Sequence, residues 1–346
     1  FDKLSGVTSL TGKRFYSTVN IQNIKAKILF NESKLDYDFT ADIEDNMNTK
    51  AMGTIFITPI QQQIYMTKFN FTYDGIDWQN DDDIKIFFNP YRFNIAQCAV
   101  KNGNSVLKAE GTIENNGTLD LLLSASKISG GILSKYFMGI NDPNFKANGN
   151  MKTTIRGDFE SPVIYSTCSL EDLSLKNFKL GNVIGKFDYS NKKIKTDFVF
   201  LDSTLNKTKP LISLNGTIPI DLSFGTVENR FPENESINVV LKSENFNLRS
   251  FGNVLPLIKN QSGILNADVK FTGTLNNPVY NGFLNLRDAY FTSTQNNLEY
   301  KCGTKLKFEN NGIIIDSMVV ANTGGTKYPG TLSGVGSVIF EGFNIK

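Results

Sequence analysis

The residues able to do chemistry are few and scattered. The 346-residue chain has no histidine, which removes the commonest general base and metal ligand. Cys98, Cys168 and Cys302 form no C-x-x-C pair, so neither a zinc site nor a disulfide framework is expected, and the thiols read as inert. Asp81, Asp82 and Asp83 could attract a cation. No glycine and bidentate glutamate follow at calcium-loop spacing, so the run reads as a solvated loop. Lys192, Lys193 and Lys195 make too small a basic cluster for nucleic acid, and 36 Lys+Arg against 34 Asp+Glu leave only +2 overall. No Gly-x-Ser-x-Gly elbow occurs. The expectation is a protein that is not an enzyme and uses no cofactor or metal.

Residues without chemistry of their own must then work through the surfaces their elements present. Phe, Tyr, Ile and Thr are abundant beside Asn and Gly, the composition of strands and turns. No run of 18 apolar residues predicts a membrane-spanning helix. A start at Phe1, without an initiator Met or signal peptide, reads as an interior piece of a longer or processed protein.

Period-2 alternation recurs along the chain, putting one set of side chains on each sheet face. Leu35, Tyr37, Phe39, Ala41 and Ile43 share one side, and Asp36, Asp38, Thr40 and Asp42 the other. The pattern returns at Ile24, Ala26, Ile28 and Phe30, and at Leu119, Leu121, Leu123 and Ala125. It returns again at Thr196, Phe198 and Phe200, at Ile237, Val239 and Leu241, and at Ala267, Val269 and Phe271. Around Phe198–Leu201 both faces are apolar, leaving the inward set open to a one-residue slip. Asp74-Gly75, Asn102-Gly103, Asn116-Gly117 and Asn311-Gly312 predict hairpins and hence antiparallel neighbours. Residues 128–138 and 246–258 space their apolar residues like one or two helical turns.

The chain also repeats. Gly157-x4-Pro162-Val163 aligns with Gly273-x4-Pro278-Val279 at an offset of 273 − 157 = 116, as does Asp172 with Asp288. Leu121–Ile128 aligns with Val239–Phe246 at 239 − 121 = 118. This implies one continuous repeat domain over 1–346 with approximate units 1–138, 139–258 and 259–346.

A one-faced apolar sheet can fold onto a second sheet, close into a barrel or curl into a trough. Alternation alone favours the sandwich or barrel. The repeat segment Ile264-Leu-Asn-Ala-Asp-Val-Lys-Phe-Thr-Gly-Thr-Leu-Asn-Asn-Pro-Val-Tyr-Asn-Gly-Phe-Leu-Asn-Leu-Arg-Asp288, with its partner Asn150–Val163, resembles the C-terminal region of the TamB family, AsmA-like proteins of Gram-negative envelopes. The resemblance covers most of 105–346. Ser166 departs from it, standing where Gly282 aligns, which puts local geometry in question. The resemblance implies an all-β, elongated, curled antiparallel-rich sheet forming a U-shaped trough. It implies a periplasmic location, anchored through segments outside this sequence. It also implies a groove carrying phospholipid between inner and outer membranes, and assembly of outer-membrane proteins with a TamA-type outer-membrane β-barrel as partner. Leu35, Tyr37, Phe39, Ala41, Ile43, Leu119, Leu121, Leu123, Phe198, Phe200, Ile237, Val239, Leu241, Ala267, Val269 and Phe271 would line it. At ~0.8 kcal/mol per buried methylene, about a dozen CH₂ groups would gain roughly 10 kcal/mol before entropy costs. A scaffold docking a barrel through its sheet edge, and a β-repeat surface adhesin, remain open beside the lipid bridge.

Overall fold

A computed structural model describes residues 5–16, 20–43, 46–137, 145–175, 178–201, 210–251, 257–274, 276–309, 312–324, 329–341 and 344–345. Strands make up 78% of the chain, and the register-defined pairings are all antiparallel. Contacts divide the chain into unit 1, residues 1–128 and 150–162, and unit 2, residues 129–149 and 163–346.

Unit 1 contains β1 (Ser5–Tyr16), β2 (Asn20–Asn31), β3 (Lys34–Ile43), β4 (Met47–Ile57), β5 (Gln62–Tyr73), β6 (Ile76–Gln79), β7 (Ile84–Asn89), β8 (Arg92–Asn102), β9 (Ser105–Glu114) and β10 (Leu119–Ser129). Strand follows strand as hairpins, with one interruption. β6 and β7 both pair with β5, as successive pieces of one broken strand. Asn80 fills the break: its Oδ1 accepts from Phe69 N–H at 2.6 Å, and its Nδ2 donates to the Asp82 carbonyl at 2.9 Å. Asp81, Asp82 and Asp83 form the exposed connection that follows, where Asp81 pairs with Lys101 at 2.5 Å. Asp74 (φ 49°) and Gly75 (φ 77°) make the two-residue β5–β6 turn, both in the left-handed region such a turn requires. The β8–β9 turn sits one residue later than expected, on Gly103–Asn104, because Asn102 still pairs with Ser105. Asn116–Gly117 lies in the β9–β10 turn. Asn311 lies outside the described residues.

The helical stretches are α1 (Gly130–Phe137) and a 3-10 turn, Leu248–Phe251. Ser129 caps α1, its Oγ accepting Ile132 N–H at 3.4 Å. In the second segment only the single turn is helical among the described residues, and Ile258 already belongs to the next strand.

The strand β11 (Phe145–Gly157) carries residues of both units. Unit 2 continues with β12 (Pro162–Leu175), β13 (Phe178–Ser190), β14 (Lys193–Leu201), β15 (Ile212–Pro219), β16 (Asn238–Asn247), β17 (Ile258–Gly273), β18 (Pro278–Ser293), β19 (Glu299–Glu309), β20 (Gly312–Gly324), β21 (Thr331–Glu341) and β22 (Asn344–Ile345). From β12 onward each strand pairs with the next. The 3-10 turn packs on both β13 and β17. In a flat sheet these strands, four spacings apart, would be about 19 Å from each other. Reaching a single helical turn from two sides requires this part of unit 2 to wrap. Phe200 of β14 and Phe246 of β16 meet edge to face at 5.9 Å, and Phe246 is fully buried.

The sequence offsets return as backbone geometry. Lys127 (φ 52°) and Asn245 (φ 50°), 118 apart, are left-handed residues inside strands. Each has its N–H accepted by the Oδ1 of an asparagine, Asn150 at 3.0 Å and Asn266 at 2.8 Å. Each is followed by a buried apolar residue, Ile128 or Phe246, and then by a helical segment. Gly157 (φ 89°) and Gly273 (φ 82°) repeat at 116. The Ser166 departure is real but not a turn. Gly282 lies within β18 at φ 130°, where a Cβ would strike the Asp268 carbonyl, while Ser166 is a fully buried strand residue of β12 without a positive φ.

Candidate functional site

Register decides which side chains share a face, and in both units the outcome is a sheet with one apolar side. In unit 1, Phe39 pairs with Ala26 and Ala51, and Ala51 with Phe69. Ile64 pairs with Ile55 and Ile86, and Ile86 with Ile95. Gly111 joins Ile95 to Leu121. In unit 2, Phe187 pairs with Thr196, Phe198 with Leu214, and Leu214 with Leu241. The row continues through Val269 and Gly282 to Phe308 and Ile313. From β3 to β10, and from β12 to β21, no position on this face holds a charged residue among the described pairs.

The opposite face carries the charge. Lys34 pairs with Asp36 at 2.8 Å, Lys242 with Asp268 at 3.1 Å and Arg92 with Glu114 at 2.8 Å. Asp36 also accepts from Thr54 Oγ1, and the Lys34 and Thr54 hydrogen bonds hold its carboxyl below the ordinary value. Two grooves of about 660 and 450 Å³ cross this polar side of β8 to β11. Lys101, Lys108, Asp81 and Glu110 line the first, Asp120 and Arg156 the second; mixed signs there converge on no single ligand charge.

The apolar faces are half-buried rather than covered. Ala41, Trp78, Ile84, Val100 and Leu119 are buried in unit 1, whereas Leu35, Tyr37, Phe39, Ile43, Leu121 and Leu123 are only partly so. In unit 2, Val239, Ala267 and Val269 are buried, while Phe198, Phe200, Leu241 and Phe271 are intermediate.

All sixteen residues expected to line a groove lie on the apolar side of their strands, Ile237 just ahead of β16. Leu35, Tyr37, Phe39, Ala41, Ile43, Leu119, Leu121 and Leu123 share the face of unit 1; the other eight share that of unit 2. The ambiguous run resolves with Phe198 and Phe200 inward, opposite Leu214 and Ile212, and Val199 outward. Sequence reasoning missed Phe69, Phe71, Trp78, Ile84, Ile86 and Ile95 of unit 1, and Leu284, Leu286, Leu306 and Ile315 of unit 2. β-bulges hide several of them. Ile95 and Cys98 both face the apolar side although three residues apart, because the register steps between them, and Leu286 and Ala289 do the same.

Burial pushes the thiols of Cys98, Cys168 and Cys302 up, away from the reactive thiolate. Among the described residues no group of three His, Cys, Asp or Glu side chains could hold a metal. Among the same residues no helix is long and apolar enough to cross a membrane. The chain matches no protein-family model, no curated protein and no solved structure.

Proposed function

We propose that the apolar faces shelter lipid acyl chains, and that the chain belongs to an envelope protein of the TamB type passing phospholipid between inner and outer membranes. The observation that carries this reading is a charge-free, half-open apolar face backed by a polar one. Acyl chains need only such a surface, since their gain scales with buried methylenes and requires no polar recognition. A large exposed apolar surface is costly unless something covers it. The proposed periplasmic setting and assembly role with a TamA-type barrel rest on the resemblance of 150–163 and 264–288 to that family.

Photo-crosslinking amino acids at Phe39, Leu121 and Phe198, compared with Asp38 and Lys270 on the polar side, test it in cells. Phospholipid captured from the first set alone supports the lipid reading; equal capture from both faces, or none, removes it.

A second reading rests on the sheet edges. β1 pairs with β2 alone among the described pairings and exposes Val7, Leu10 and Phe15. β21, which the two-residue β22 covers only at Phe340 and Glu341, exposes Leu332, Val335 and Ile339, Val335 at 78%. The unpaired backbone of a sheet edge is a template for a further strand. A scaffold using these edges would survive loss of lipid binding.

A further inference from the structure

We propose that Gln261 recognises the carbonyl group joining an acyl chain to its headgroup, for a lipid whose chain lies on the apolar face of unit 2. The proposal rests on the lipid reading above and adds which part of the lipid is recognised.

Gln261 is 6% exposed, and among the described residues neither its Nε2 nor its Oε1 has a hydrogen-bond partner. Most buried amides have one, so this residue calls for a reason. Its position supplies it. The β16–β17 ladder ends at Asn247 and Ile264, and β17 runs on past that point. There Asn260 takes φ 57° and the register with β18 steps. Ser262 pairs with Tyr290, whose next partner is Lys301 on the polar side. Alternation therefore turns Gln261 and Gly263 to the apolar side. Gly263 lies against Ala289, and beyond it Phe291 and Tyr300 stack at 5.4 Å. Leu265, Ala267, Val269 and Phe271 continue the strip along β17 without a charge.

An amide at one end of a greasy strip has the polarity pattern of an acyl lipid, a hydrocarbon run ending in a carbonyl. Nε2–H can donate to an ester or amide carbonyl, and Oε1 can accept from an amide N–H or a glycerol hydroxyl. Glutamine has three rotatable side-chain bonds, and among the described residues no hydrogen bond holds this one, so the amide can reorient toward the face without breaking a hydrogen bond. An ether-linked chain offers only a weak acceptor there.

The test compares purified wild-type protein with Gln261→Met, close in length and flexibility, and Gln261→Leu as a second variant. The probes are dipalmitoyl phosphatidylcholine, with two ester links, and its dihexadecyl ether counterpart with the same headgroup. Wild type should prefer the ester lipid by roughly three- to tenfold, the worth of one hydrogen bond. Both variants should bind the two lipids equally, at the ether level, with a melting temperature no lower than wild type. Equal binding by wild type, an ester preference kept in both variants, or a lowered melting temperature with both lipids lost would overturn the proposal. If wild type binds neither lipid, the lipid reading itself fails first.

Discussion

Asp172 and Asp288, 116 residues apart, hold nearly the same left-handed backbone, φ 53° and φ 49°. Each sits where its strand steps out of register with the next, between Leu170 and Leu173 in β12 and between Leu286 and Ala289 in β18. Aspartate tolerates this conformation better than most residues. The extra residue keeps apolar side chains on the inner side of both bulge flanks and sharpens the local twist.

Asp288→Val should therefore destabilise the protein by about 1–2 kcal/mol, since a β-branched residue resists a positive φ. Asp288→Gly should be neutral or slightly stabilising, because glycine takes the conformation freely. The same pair of substitutions at Asp172 should give the same signs. Urea unfolding of the four variants checks this; a valine at either site without effect would separate the two bulges.

Partial burial predicts two different responses to an inward charge. Val269 is 3% exposed, so Val269→Asp should cost about 3–5 kcal/mol, the range for an uncompensated buried charge. Leu121 is only half-buried, so Leu121→Asp should cost about 1–2 kcal/mol and leave a cooperative melt. Lipid capture at Leu121→Asp should still fall, because the charge interrupts the face. Thermal melts beside lipid extraction separate the effects; equal destabilisation would mean that both faces are fully covered.

Asp221 controls the long β15–β16 connection. Its carboxylate meets Lys192 Nζ at 2.8 Å and accepts Ser223 N–H at 3.0 Å, while Arg230 Nη1 donates to its carbonyl at 2.9 Å. Leu222 N–H donates to the buried Tyr189 hydroxyl at 2.8 Å. The Lys192 hydrogen bond, then those from Ser223, hold the Asp221 carboxyl well below the usual carboxylate range. A depressed folded value means the unfolded chain takes the proton first. The stabilisation is complete above the unfolded value, about 4, and is lost as pH falls from there toward the folded one. Melting temperature from pH 7 to 3 should fall more steeply below about pH 4 for wild type than for Asp221→Asn. Parallel curves would show that the carboxylate is not the responsible group.

The three thiols should alkylate more slowly than free cysteine at pH 8, because burial raises each of them. Labelling by iodoacetamide, read by mass spectrometry, should accelerate for all three in urea. A thiol that labels in the folded protein as fast as in urea would be a reactive site.

The all-β class, the turns at Asp74–Gly75 and Asn116–Gly117 and the two faces of β3 were legible in the sequence, the faces because an unbroken strand has a side-chain period of two. Leu35 through Ile43 needed nothing else. The repeat was visible too, as Gly157 and Gly273 or Asp172 and Asp288, but not its meaning. Whether Asp288 is a turn or a bulge inside a strand depends on the neighbouring strand it lies against. The faces of Ile95, Cys98, Leu286 and Ala289 were hidden for the same reason, since a bulge shifts the alternation by one and only the partner strand reveals it. Tertiary structure alone brought Lys192, Asp221 and Tyr189 together, left Val269 buried and Phe39 half open, and gave the Gln261 amide no hydrogen bond among the described residues. Those outcomes depend on how far a twisted sheet wraps, which is set by contacts between strands rather than by spacing within any one of them.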